Sequence, residues 1–197
     1  MNMFIKLIKH FVVIFLILCV SVSCEYFKSA NELTELELQA VVLSVDEMVE
    51  FNNNVASENV AGKKLRYVHY IGANECSICR MKSMYLWDNF MEENDWTKYV
   101  DFFFIVDPGN QAVGDLIDEL NRYYFSHSVY FDVNHVFAKD NAHVLSNKLV
   151  KSYLIDVKNR IILVGNPQSS EAMNNLFRKV VGNMLAHDGV YVPDEKN

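Results

Sequence analysis

Two cysteines, Cys76 and Cys79, stand in the stretch "NECSICRMKSM" with Ser77 and Ile78 between them and Arg80 and Lys82 close behind. This spacing serves three chemistries: a redox dithiol, half of a metal site, or an inert bridge. A bridge over two residues removes little chain entropy and pins no distant segments together, so stabilisation is a poor reason for it. Zinc usually takes four ligands. His69, His127, His135, His143 and His187 are the remaining candidate ligands, but no second cysteine pair and no histidine pair at finger-like spacing accompanies them. No metal and no cofactor is therefore expected. Redox exchange needs a thiolate, which a helix N-terminus stabilises through its unpaired amides and positive end, as would Arg80 and Lys82 if their heads turn toward it. A lone Cys-x-x-Cys beside strand–helix–strand patterning favours this redox reading.

The elements that must position the pair are legible around it. "LRYVHYIG" reads as a strand and "CSICRMKSMYLWDNFMEE" as one helix, with Met81, Met84, Tyr85 and Phe90 among its larger apolar positions. Cys76 then stands where strand gives way to helix and Cys79 one turn inside, on the same face. "VDFFFIVD", from Val100 to Asp107, is a short, intensely apolar run closed by Pro108 and Gly109: a buried strand and a turn. A helix follows in "QAVGDLIDELNRYYF" and a strand in "SVYFDV", then an irregular segment. "VKSYLID" and "RIILVGN" form a hairpin, and "SSEAMNNLFRKVVGNMLAH" is the last helix. Strands and helices that alternate and finish in a hairpin predict an α/β fold, a mixed central sheet with helices on its faces. Upstream, Leu33, Leu36, Val41, Val45, Met48 and Val49 lie near helical spacing and predict an extra N-terminal helix over Asn31 to Phe51, followed by a loop in "NNNVASENVAGKK".

The beginning of the chain differs from the rest. Lys6 and Lys9, the apolar run Phe11 to Val20 and the small residues before Cys24 follow the order of a secretory signal. The run is shorter than the roughly 20 residues that span a bilayer, although a retained anchor using Phe4 to Val22 is an alternative. Val22 and Ser23 before Cys24 resemble a bacterial lipobox, with Ser21 where an aliphatic residue is usual. That resemblance implies cleavage after residue 23 and lipidation of Cys24; plain cleavage nearby is the alternative. The expected organisation is a signal peptide at 1–23, a tether and N-terminal helical extension at 24–62, and the main domain at 63–197. The expected location is outside the cytoplasm, in the periplasm or cell envelope, anchored to the membrane by lipid.

Of the four cysteines, only Cys76 and Cys79 fall in the folded domain, so this is no disulfide scaffold. The formal net charge is −7, with no basic block, which excludes nucleic acid as an expected partner. Hydrophobic residues make up 51% of the 197, enough for one core without disulfides.

Taken together, "RYVHYIGANECSIC", "VDFFFIVD" and "SYLIDVKNRIILVGNP" resemble the thioredoxin-like family, especially extracytoplasmic, membrane-tethered thiol-disulfide oxidoreductases of bacteria. The resemblance spans roughly Lys63 to Ala186 and implies a thioredoxin-like fold. It makes Cys76 the exposed attacking thiol and Cys79 the resolving thiol, with protein thiols and disulfides as clients and a further redox partner to recharge the pair.

Departures from the family are equally specific. Its cis-proline falls at Val150, flanked by Leu149 and Lys151, so a trans peptide and a changed substrate platform are expected there. The tryptophan common before the first cysteine is Glu75, whose charge is expected to oppose the thiolate. Tyr70 occupies the place of thioredoxin's buried carboxylate, and strand alternation is expected to turn His69 the other way. These departures motivate a second reading, a thioredoxin-fold binding or scaffold lipoprotein whose cysteines do not turn over. Trp87, Trp96 and "FFFIV" read as core, Asp156 as a hairpin residue accepting turn hydrogen bonds, and Asp107, Pro108 and Gly109 as a turn with no phosphate loop.

Overall fold

The computed structural model describes residues 39–52, 65–146 and 151–193. The signal at 1–23, Cys24, most of the loop before the main domain and Val150 lie outside the described residues.

The two longest apolar runs form adjacent parallel strands, β2 (Leu65–Ile71) and β3 (Val100–Val106), paired from Leu65↔Val100 to Ile71↔Val106. Both faces of these strands are covered, which is why their sequences are almost continuously apolar. β4 (Val129–Phe131) runs parallel to β3, and β1 (Val49–Phe51) lies antiparallel on its outer edge. On the other side, β5 (Ser152–Ile155) is antiparallel to β2 and β6 (Ile161–Val164) antiparallel to β5. The order is β1-β4-β3-β2-β5-β6, a mixed sheet.

Six helices accompany it among the described residues: α1 (Ser77–Met81), α2 (Tyr85–Glu93), α3 (Val113–Arg122), α4 (Val136–Asp140), α5 (Ala142–Leu145) and α6 (Glu171–Ala186). Tyr67 of β2 faces α2 and α6, its ring centroid 5.4 Å from Trp87 and 5.7 Å from Phe177. Phe90, Trp96 and Phe104 complete this aromatic layer. Tyr70, of opposite parity on the strand, faces Phe137 of α4 at 5.4 Å. The tryptophans, Phe104, Ile105 and Val106 therefore lie in the core, as expected, with Phe102 packed against it and Phe103 half-buried on Tyr130.

The hairpin and last helix form for the reasons their residues suggest. Buried Asp156 accepts from the backbone N–H groups of Lys158 (2.8 Å) and Arg160 (2.9 Å) and from the Arg160 guanidinium (2.8 and 2.6 Å). Ser170 caps α6 by accepting from Met173 N–H at 3.2 Å.

Three expectations need correction. The helix read over Asn31–Phe51 is not the conformation of its described part. Residues 39–41 instead bond to the β5–β6 turn and the start of β6, Val41 N–H to Asn159 O and Ile161 N–H to Gln39 O. One turn of 3-10 helix at Val45–Glu47 precedes β1. The buried Asn141 carboxamide grips Val42 on both sides, accepting from its N–H (2.8 Å) and donating to its carbonyl (2.9 Å), which holds that backbone extended. The spacing of Val41, Val45 and Val49 is even, so it fits the two-residue strand period as well as a helix.

The helix read after Cys76 is also broken. Lys82–Met84 form a turn between α1 and α2, where Ser83 donates its hydroxyl to Arg80 O and three-residue backbone bonds tighten the coil. This turns Met81 and Met84, three apart, into the same core. The irregular segment after β4, in turn, holds α4 and α5. Asp132 makes α4 possible by accepting from Val136 N–H (2.6 Å) and Ala138 N–H (3.2 Å).

Candidate active site

Cys76 and Cys79 meet at the C-terminal end of β2, and their sulfurs form a disulfide with the Cα atoms 5.2 Å apart. Cys76 is the residue that caps α1: its Sγ accepts from Cys79 N–H at 3.3 Å. Both cysteines are exposed, so accessibility does not separate an attacking from a resolving sulfur. The bond direction does, since a negative charge on Cys76 Sγ would strengthen it.

The loop that carries the pair is held by the turn that follows β3. Ile78 N–H donates to Gln111 Oε1 (3.3 Å), from the turn that follows β3. That turn lies against the dithiol loop at Gly109, whose φ of 57° suits glycine and where a Cβ would meet Ala73 O at 3.2 Å. Asp107 shapes the turn by accepting from Gly109 N–H (2.9 Å), and its other oxygen meets His135 Nδ1 at 2.7 Å. The turn reading of Asp107, Pro108 and Gly109 stands. Burial, and then the Asp107 carboxylate beside it, holds the Tyr70 hydroxyl well above the ordinary tyrosine range.

Glu75 does something the sequence did not suggest. Oε2 accepts from Arg80 Nε (3.2 Å) and Nη2 (2.9 Å), while Oε1 accepts from Gly72 N–H (3.2 Å) and faces Lys151 Nζ at 3.3 Å. Burial by itself would raise the Glu75 carboxyl, but the Gly72 amide, Lys151 and Arg80 together hold it below its ordinary value. The Glu75 charge beside Cys76 is therefore not isolated but engaged by two cations. Arg80 gives its guanidinium to Glu75, and Lys82 is exposed beyond the end of α1. Lys151 carries no sequence signal for this role, because Glu75 lies far from it along the chain.

His69 and Tyr70 point to opposite faces, as alternation requires, but it is His69 that takes the α2 side. It faces α2, the side of the dithiol helices, with its ring 5.0 Å from Trp87 and Nδ1 2.7 Å from Ser152 Oγ. Burial first, then the Arg80 charge, pushes its pKa down to about 4. Tyr70 turns to the opposite face instead. The other histidines are dispersed: His127 beside Asp88, His135 on Asp107, His143 at Ala40 O and His187 at the end of α6. Among the described residues no group of three or more His, Cys, Asp or Glu side chains could hold a metal ion, and no helix is long and apolar enough to cross a membrane.

No family model matches the chain, and no curated protein matches it. Solved structures do resemble it. One is a thioredoxin-like protein in its oxidised form, at 16% identity over 77% of this chain and 97% of that one, TM-score 0.49. Another is a putative thiol:disulfide interchange protein DsbE from Chlorobium tepidum, at 15% identity over 74% and 98%, TM-score 0.48. A third is StoA from Bacillus subtilis, at 14% identity over 52% and 73%, TM-score 0.42. The strand order, the parallel β2-β3-β4 unit, the closing antiparallel hairpin and the dithiol at the end of β2 make the fold thioredoxin-like.

Proposed function

We propose that this chain carries out thiol–disulfide exchange on exported proteins, with Cys76 attacking and Cys79 resolving. The observation that carries the proposal is the exposed Cys76–Cys79 pair at the start of α1, with Cys79 N–H aimed at Cys76 Sγ. In the reducing direction, the Cys76 thiolate attacks one sulfur of a client disulfide and expels the other as a thiolate. Cys79, as thiolate, then attacks Cys76 Sγ, forms the Cys76–Cys79 bond and releases the second client sulfur. Two electrons pass from the protein dithiol to the client disulfide, and the two protons of the dithiol end on the two client thiols. A partner dithiol returns the electrons by the same two exchanges in reverse. Whether the cycle runs to reduction or oxidation follows from the potential of the pair relative to that partner.

The basic, apolar and small-residue order of 1–23 supports export, and Cys24 supports attachment through lipid. The function is tested with Cys79→Ser. This variant leaves Cys76 able to attack and nothing to resolve it, so mixed disulfides between Cys76 and client proteins accumulate and dissolve on reduction. A scaffold whose cysteines do not turn over traps nothing specific, and that result would refute the proposal.

A further inference from the structure

The sulfurs are bracketed by an ion cluster that no step of exchange uses. Glu75 immediately precedes Cys76 and Arg80 immediately follows Cys79, so their ion pair closes over the whole dithiol turn. Lys151 enters the same carboxylate from the residue preceding β5. It is placed there by its backbone, whose carbonyl accepts from Tyr70 N–H at 2.7 Å, and by the Tyr70 ring, whose centroid lies 5.7 Å from Nζ. A Cβ at Gly72 would sit in van der Waals contact with Lys151 Nζ at 3.5 Å and tightly against Tyr70 Cε1 at 3.3 Å. One anion therefore engages two cations, and Glu75 and Arg80 directly flank the two cysteines in the chain.

We propose that Glu75 is a positioning residue that sets the redox poise of Cys76 and Cys79 by engaging Arg80 and Lys151. With Glu75 ionised, the cluster presents a net single positive charge to the sulfurs; without it, two. The second cation would stabilise the Cys76 thiolate and hence the reduced form, and a couple whose reduced form is stabilised is a stronger oxidant. Glu75 thus holds the pair toward the reducing end. On the α2 side lies His69, neutral at pH 7, and on the other Tyr70, with the Asp107 and Asp132 carboxylates acting on it alongside Glu75.

This inference deepens the proposed exchange activity but is measured independently of clients. Glu75→Gln and Lys151→Met variants of the full chain are equilibrated with glutathione, and the redox state and alkylation rate of Cys76 are read by peptide mass spectrometry across pH. Glu75→Gln is expected to raise the Cys76 thiolate fraction about three- to tenfold below its pKa, and Lys151→Met to lower it, the side chains being partly exposed and screened. The glutathione equilibrium moves oppositely in the two variants, a tenfold change corresponding to about 30 mV. Both differences shrink in concentrated salt. A merely structural role moves both variants the same way, and that outcome, or no movement in either, overturns the inference. Client trapping by Cys79→Ser is a separate readout, so failure of the exchange function and failure of this charge balance are told apart.

Discussion

His69 offers the most quantitative test of the site's interior. Its ring packs against Trp87 and Phe104, with Nδ1 on Ser152 Oγ, so that little of it reaches water. Its pKa is lowered from 6.5 to about 4, first by burial and then by the Arg80 charge. Because the folded value is depressed, the contribution of His69 to stability is whole above pH 6.5 and is lost as pH falls through about 4. Across that window the unfolded chain binds a proton that the native ring excludes. At about 1.4 kcal/mol per pH unit the loss reaches about 3 kcal/mol, reduced toward about 2 by the water that reaches the ring's exposed edge. The perturbation is His69→Phe, which keeps an aromatic ring in an aromatic layer. The assay is urea unfolding of both proteins at steps between neutral pH and pH 4, in the oxidised state. Losing the partner of Ser152 Oγ costs the variant about 1–3 kcal/mol at every pH and so leaves the slope untouched. The wild-type advantage should narrow steadily with acidification. Parallel stability curves would show that the native ring takes up its proton as readily as the unfolded chain, and the burial argument would fail.

Two further outcomes follow from buried carboxylates. Asp88 on α2 accepts from Ser126 N–H and Oγ, yet burial dominates and pushes it from 3.8 up to about 6. Its contribution is whole below 3.8 and lost as pH rises through about 6, so wild type should gain on Asp88→Asn by about 2 kcal/mol between neutral pH and pH 4 in urea unfolding. A flat difference would mean that His127, 3.4 Å away, keeps the native carboxylate ionised. Asp156→Ala strips the Arg160 guanidinium and two turn amides of their acceptor. It should cost about 3 kcal/mol, seen as a lower urea midpoint at unchanged slope, and a loss under about 1 kcal/mol would refute the view that this carboxylate organises the hairpin.

Local periodicity carried much of the fold because it coincided with burial. β2 and β3 are mostly apolar and largely covered on both faces, the last helix begins at a serine cap, and the hairpin turns at an aspartate that accepts from residues two and four ahead. Where two periods agree, periodicity misleads. Val41, Val45 and Val49 fit helix and strand alike, and the choice was made by the Asn141 carboxamide and by pairing of Val49–Phe51 with β4. The break between α1 and α2 has no periodicity signal, because Met81 and Met84 share a face in a continuous helix as well, and the turn is seen only in the backbone bonds and the Ser83 hydroxyl on Arg80 O.

The sequence by itself determined the dithiol, its place after a strand, and the alternation that yields a mixed sheet, since these depend on neighbours a few residues apart. Tertiary structure decided what surrounds the sulfurs. Lys151 reaches Glu75 only because β5 pairs with β2, and His69 turns toward α2 only because the sheet places the dithiol helices on that face. A charge beside a cysteine has no fixed meaning until its partners are known, because its effect on the thiolate is the field of the whole cluster. Glu75 read as an isolated anion opposes the thiolate; held by Arg80 and Lys151, it belongs to a cluster of net positive charge.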